Sequence, residues 1–290
     1  MTAHNYLDPD FSSTVGGDGL SEDTVKRFRD FIRRFYREQG RDLPWRHERD
    51  PYRILVSEIM LQQTQVDRVL KKYRPFIAQF PDILTLDRTP LQRVLAAWKG
   101  LGYNRRCLAL KRSAGMIVDR HGGIIPAKMD QLLELPGVGR ATAAGILCFA
   151  YGKPAVYLET NIRNVFIHLF FNGRNSVHDR DILPLLEQTL DRDNPREWYY
   201  GLMDYGSLLK KKLGALNERS THYVKQPTFE GSDRQLRGRI LGLLLERPLL
   251  TEHEICGAMS ENISRVSKIV ADLTREGFII QRGSRYRIAD

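Results

Sequence analysis

Cysteine is scarce. Cys107, Cys148 and Cys256 are the only three in 290 residues, and they lie far apart. That excludes a disulfide framework and any metal site built on paired cysteines, so reduced, intracellular thiols are expected. No apolar run approaches the ~18 residues of a membrane-spanning helix. The first twenty residues lack the apolar centre of a secretory leader, so no membrane partner is expected. Alternating strand patterns are absent before residue 230. The seven histidines form no cluster, and His47, His121, His168, His178 and His222 read as surface or structural groups. Negative charge is the minority sign: 35 Asp and Glu stand against 45 Lys and Arg, a net charge of +10. A basic excess of this size points to a polyanionic partner and says nothing of the fold.

What is present suits a globular protein of two domains, with 42% hydrophobic and 28% charged residues. Residues 1–20, with Ser12-Ser13-Thr14 and Gly16-Gly17-Asp18-Gly19, read as a flexible arm. Residues 21–225 read as a helical domain. Ser21 caps a helix to Gln39, with Val25, Phe28, Phe31, Ile32 and Phe35 as its apolar stripe. Asp50-Pro51 starts a second helix. Gln62-Gln63-Thr64-Gln65 interrupts it, and further helices run to Phe80, over Leu91–Trp98, Arg105–His121, Val165–Phe171, Ile182–Leu190 and Glu197–Leu213. Residues 226–232 read as a linker. Beyond it, Ser232 or Asp233 caps a helix to Glu246, Thr251 and Glu254 form a capping box, and a third helix spans Ser260–Glu276, closed by Gly277. Two runs, Phe278–Arg282 and Arg285–Ile288, form a β-hairpin. Three helices and a hairpin make a winged helix-turn-helix over 233–290. Ten basic against eight acidic residues there are only a mild excess, so DNA contact and a structural cap both stay open.

The chain is organised around Leu135-Pro136-Gly137-Val138-Gly139-Arg140. Met129–Glu134 leads in as a helix, and Ala141–Ile146 leads out as another. Gly137 and Gly139 allow a tight reversal. The second helix then presents unpaired N–H groups and a positive dipole end, which suits a phosphate. An ordinary glycine turn between helices is the alternative.

Together these segments resemble the helix-hairpin-helix DNA glycosylase superfamily, in its MutY-type adenine DNA glycosylase branch. The carrying residues are Leu43-Pro44-Trp45-Arg46, the decapeptide Ser57–Val66, Trp98-Lys99-Gly100-Leu101-Gly102-Tyr103, the hairpin hexapeptide and Thr160-Asn161-Ile162-Arg163. The decapeptide is specific to the branch; the hairpin marks only the superfamily. The resemblance implies a mainly α, two-lobed fold with its lobes around a cleft. It implies base excision repair in the cytoplasm or nucleoid, by a monomer acting on double-stranded DNA that holds a lesion or mismatch. Cleaving an N-glycosidic bond requires a proton for the leaving base and a stabilised sugar cation, which two carboxylates on opposite sides of the bond can supply. By resemblance, Glu58 is the proton donor and Glu159 the second carboxylate, with Asn161 hydrogen bonding in the same segment. Glu58 sits in an apolar stretch, where burial raises a carboxyl pKa. Gln63 matches the residue that fills the gap left by the flipped base; Thr64, Leu101 and Tyr103 match those that hold the orphaned partner base. Ordinary core positions are the alternative for Leu101 and Tyr103, weakened by their joint presence inside two motifs. At the Gly137 turn the backbone N–H groups of Val138 and Gly139 form the phosphate clamp, with a monovalent cation on the Leu135 and Val138 carbonyls, and Arg46 and Arg140 add charge.

Four features depart from the family. Glu159 stands where the family has Asp, one methylene longer. Ala141 stands where bifunctional relatives carry a Schiff-base lysine, so no lyase of that kind is expected. Lys210–Ser220 lacks the cysteines that hold an iron–sulfur cluster, so no cofactor is expected, and Lys210 and Lys211 read either as phosphate contacts or as a solvated charge run. Residues 233–290 are too short for the domain that reads 8-oxoguanine. The expected activity is monofunctional excision of a mispaired or modified base, adenine foremost. A non-turning-over lesion- or mismatch-binding protein and an abasic-site-processing enzyme are the alternatives.

Overall fold

The computed structural model describes residues 11–12, 19–214, 216–223 and 228–290. Most of the expected arm, and the first part of the expected linker, lie outside them. The helices are α1 (Glu22–Gln39), α2 (Pro51–Leu61), α3 (Val66–Gln79), α4 (Ile83–Arg88), α5 (Leu91–Trp98), α6 (Arg105–His121), α7 (Met129–Leu133), α8 (Arg140–Tyr151), α9 (Thr160–Phe170), α10 (Asp179–Thr189), α11 (Pro195–Leu213), α12 (Asp233–Glu246), α13 (Glu252–Met259) and α14 (Ile263–Glu276). The strands are β1 (Leu250–Thr251), β2 (Ile279–Arg282) and β3 (Arg285–Ile288). The chain divides into two compact units. One comprises Met1–Pro51, Ala127–Met129 and Gly139–Lys225; the other comprises Tyr52–Pro126, Asp130–Val138 and Gln226–Asp290. No helix among the described residues is long and apolar enough to cross a membrane.

The first unit holds α1 and α8 to α11. Ser21 accepts a hydrogen bond from the Thr24 amide and starts α1 as expected. Phe28 on its buried stripe is ringed by Phe11, Phe166, Phe170 and Trp198, with centroids 5.0–5.7 Å away. Phe11 is therefore anchored, its amide bonded to the Leu169 carbonyl. Two glycines let α11 approach its neighbours. A Cβ at Gly201 would stand 2.8 Å from Ile32, and one at Gly206 would overlap the Asn161 carbonyl at the start of α9. Asp204 on the same helix is buried and takes four hydrogen bonds, from the Arg41 amide and side chain and from both terminal nitrogens of Arg46.

The second unit is assembled on α6. Its Ser113 hydroxyl donates to the Pro136 carbonyl, and Ala109 fills the space where a Gly137 Cβ would be. Its Arg105 makes a two-point ion pair with Glu276, and Arg112 donates to the Glu276 carbonyl. Arg237 of α12 closes on the same carboxylate at 2.6 Å. Residues 233–290 are thus bound to α6 through the end of α14. Here the structure adds three details. Asp82 caps α4, a separate short helix after Phe80. Ser260, in the left-handed region, ends α13, so α14 starts at Ile263 under an Asn262 cap. Strand β1 adds to the hairpin in the order β1-β3-β2, all antiparallel.

Asp204→Asn would leave Arg46 and Arg41 facing an amide in a dry core. Breaking a buried ion pair from one side costs about 3–5 kcal/mol, and urea unfolding at neutral pH is expected to show a loss of that order.

Candidate active site

In the second unit, Glu58 lies half-buried on α2 between buried Ser57, Ile59 and Met60. The helix ends at Leu61, and the chain turns through Gln62, Gln63 and Thr64. Gln63 is exposed and adopts φ +51°, in the left-handed region. A second loop, Gly100–Tyr103, also ends on a left-handed residue, Tyr103 at φ +48°. Such backbones cost about 1–3 kcal/mol in a residue with a Cβ and persist only where surroundings enforce them.

Arg106 enforces both. Its guanidinium donates to the carbonyls of Ile59 (2.9 Å), Met60 (2.8 Å), Gln62 and Gly102 (3.2 Å), and to the Thr64 hydroxyl (2.8 Å). One buried cation therefore caps the carbonyl end of α2 and fastens the two strained turns together. Burial pulls its pKa down to about 10, which leaves it charged at neutral pH. Thr64 is spent on this contact. Leu101 is 1% exposed, so its side chain is core and offers a base no surface in this form. Tyr103 is half-buried, with the Arg106 guanidinium carbon 5.3 Å from its ring centre.

The hairpin turn joins the same framework, because the Gln62 amide donates to the Gly137 carbonyl at 3.0 Å. Gly137 needs to be glycine twice over, for its φ of +76° and for its closeness to Ala109. Gly139 does not: its φ is −89°, and a Cβ there would meet nothing within 4 Å. The expected steric need for glycine at 139 is thus corrected; its effect is to leave the start of α8 bare. The Val138 amide is likewise corrected as a clamp, because it bonds the Leu135 carbonyl at 3.1 Å. That carbonyl keeps one lone pair for a cation. In the first unit, α8 has no side-chain cap, and its opening N–H groups stand beside exposed Arg140.

The first unit also carries the second carboxylate. Glu159 caps α9, its Oε1 accepting from the amides of Asn161 (2.9 Å) and Ile162 (3.0 Å). Its Oε2 accepts from the Asn161 side chain at 3.2 Å. The extra methylene is taken up by folding the carboxylate back over the helix end. Desolvation raises its pKa above the usual carboxylate value, against the three hydrogen bonds and the Arg163 charge that lower it. Arg163 is held in turn by Asp179, at 2.7 and 2.8 Å. The expectation for Arg46 is corrected: it is 9% exposed, its fork is taken by Asp204, and it lies 4.5 Å from the Tyr200 ring centre, so it offers DNA nothing. Lys210 and Lys211 are exposed in the last turn of α11, where cations also complement the helix dipole.

Residues 56–185 match the HhH-GPD superfamily of base excision DNA repair proteins. A thymine/uracil-DNA glycosylase of Methanothermobacter thermautotrophicus is 32% identical over 66% of this chain and 88% of its own. The chain belongs to the HhH-GPD superfamily. An adenine DNA glycosylase of Buchnera aphidicola subsp. Baizongia pistaciae is 35% identical over 64% of this chain, which spans about half of that relative, 54%. The solved structure of a thermostable thymine-DNA glycosylase is 31% identical, covers 64% of this chain and 87% of its own, and superposes with a TM-score of 0.57.

The iron–sulfur cluster that the HhH-GPD resemblance brings with it does not fit these residues. The stretch Lys210–Ser220 has no thiol. Arg219 occupies that region instead, donating to the carbonyls of Phe171 and Arg174 beyond the end of α9. Cys107 and Cys148 are buried, and burial pushes the Cys107 thiol far up.

Arg106 escaped the sequence reading. Its one available signal was position: it directly follows the Trp98–Tyr103 motif on the first turn of a helix, where an arginine has no local reason to be buried. Arg106→Met is expected to leave several buried carbonyls without a donor and to lower stability by about 3 kcal/mol, each unsatisfied group costing about 1–3 kcal/mol. Chemical denaturation measures it; an unchanged midpoint would contradict the role.

Proposed function

We propose that this protein is a monofunctional DNA N-glycosylase that removes a mispaired or modified base from duplex DNA, without an iron–sulfur cluster. The observation that carries the reading is Glu159: a desolvated carboxylate, fixed by the start of α9 and by Asn161 in a chain of the HhH-GPD superfamily. A negative charge held so rigidly can stabilise a sugar cation without reorganising as it forms. Glu58, in its apolar helix, donates a proton to the base. The glycosidic bond breaks with its electron pair leaving on the base. Water adds to the sugar cation and returns a proton to Glu58, which restores the acid. Ala141 provides no amine for a Schiff base, so the product is an intact abasic strand.

Gln63, on its strained and exposed turn, fills the gap left by the extruded nucleotide. Tyr103 lies against the partner base. The opening N–H groups of α8 with Arg140 hold phosphate, and Lys210 and Lys211 add sequence-independent attraction. Adenine is the foremost target, on the strength of the Ser57–Val66 decapeptide. Thymine or uracil is the second reading, favoured by the 88% coverage of the Methanothermobacter relative.

The reading is tested with duplexes carrying A, T, U or hypoxanthine opposite G or 8-oxoguanine. Release of free base, with nicking only after alkali, is expected for at least one pair. Tight binding without base release, unchanged in Glu58→Gln, would support a binding protein instead; nicking without alkali at an abasic site would support strand cleavage.

Glu159 must be ionised to act, and its pKa is raised, so the single-turnover rate should fall with decreasing pH earlier than an ordinary carboxylate would make it. Glu159→Gln should cost about 100-fold or more in rate and abolish that acid limb. Stability moves the other way. A raised folded pKa means the native state loses stability as pH climbs from the unfolded to the folded value. Glu159→Gln should therefore be the more stable protein above that window, the difference vanishing below the usual glutamate pKa.

A further inference from the structure

Tyr103 is held from two sides of the second unit. Arg106 reaches it from α6, and Arg234 of α12 donates to its hydroxyl at 3.2 Å, with a guanidinium carbon 5.9 Å from its ring centre. The pattern continues outward and inward. Arg234 lies 5.8 Å from the ring of Phe229, and Arg106 lies 5.6 Å from that of Trp98. Rings and guanidinium groups thus alternate from Trp98, fully buried, through Arg106, Tyr103 and Arg234 to Phe229, which is 57% exposed. Such a series suits nucleobases, whose faces stack on aromatic rings and arginine planes and whose edges take an arginine fork.

The C-terminal residues supply the outer half of this series, and they are rigidly seated. Glu276 at the end of α14 is clamped by Arg105 and Arg237, and its carbonyl by Arg112. Lys99, four residues before Tyr103, pairs with Glu246 at the end of α12. Gly277 sits at φ +83°, where a side chain would be strained, and a Cβ there would come 2.7 Å from the Arg112 guanidinium. Arg234 is therefore brought to Tyr103 by a fixed platform. Arg106 also bonds the Gln62 carbonyl and the Thr64 hydroxyl, which ties this series to the Gln63 turn.

We propose that Arg234 is a specificity-determining residue that reads the base opposite the excised one, making the C-terminal three-helix unit part of the partner-strand reader. The proposal rests on the glycosylase reading and deepens it. An arginine fork favours guanine, which offers two acceptors on one edge.

The test is equilibrium binding of the full chain to fluorescein-labelled duplexes that carry a tetrahydrofuran abasic site opposite G, A, C or T, with an intact duplex as reference. Wild type is expected to bind the abasic duplexes more tightly than the intact one, and most tightly with G opposite. Arg234→Ala should reduce the preference for G over the other partners by about tenfold while leaving the melting temperature unchanged. Glu276→Gln, which loosens the seating and leaves Arg234 in place, separates reading from docking and should flatten the preference less than Arg234→Ala. A preference unaltered in Arg234→Ala, an equal loss for all four partners, or no partner preference in the wild type would overturn the proposal. If wild type fails to tell an abasic from an intact duplex, the glycosylase reading falls, and this proposal falls with it.

Discussion

One buried guanidinium sets the geometry of everything near Glu58. Arg106 spends its terminal nitrogens on the last carbonyls of α2 and on two turns that each hold a residue with a Cβ in the left-handed region. Its neighbours on α6 extend the same control: Ala109 and Ser113 fix the hairpin turn, while Arg105 and Arg112 seat the C-terminal helices. A single helix thus couples the helix of Glu58, the Gln63 turn, the hairpin and the C-terminal helices. Strain at Gln63 and Tyr103 is stored where the surrounding bonds over-determine it, and Gln63 stays exposed at the surface.

In the first unit a half-buried carboxylate is fixed by the start of its own helix. Glu159 has the side chain of an acid too long for its place, and the structure absorbs the excess by turning the carboxylate onto two amides of its own helix and the Asn161 side chain. The close approach of α11 at Gly206 holds the start of that helix. Hydrogen bonds and Arg163 favour the anion, desolvation opposes it, and desolvation prevails.

Elements with local causes were legible in the chain. Ser21, Thr251 with Glu254, and Gly277 each start or stop a helix through bonds to residues within a turn, and each does so in the structure, while Pro51 opens α2 through its fixed φ. What stayed hidden depends on partners far along the chain. Arg46 belongs to a motif that suggests DNA contact, yet Asp204, distant in sequence, takes its fork into the core. Leu101 likewise turns inward. The glycines at 137 and 139 look equivalent in a hexapeptide, but only the first is required by backbone and packing, a difference that needs φ and the position of Ala109. Arg234 was invisible for the same reason, and Arg106 showed only by its place after the Trp98–Tyr103 motif: nothing else in the sequence says which of 45 cations is buried against which ring.

The central claim is that Arg106 holds the two turns in the form that extrudes a base. It is tested most directly by stopped-flow fluorescence of 2-aminopurine placed beside a mismatched target, comparing wild type with Arg106→Lys at a salt concentration where both bind. The account predicts a rapid rise in fluorescence for wild type, as the base unstacks, and a rise slowed or lost in the variant while overall binding persists. A variant that unstacks the base at the wild-type rate and amplitude would contradict it.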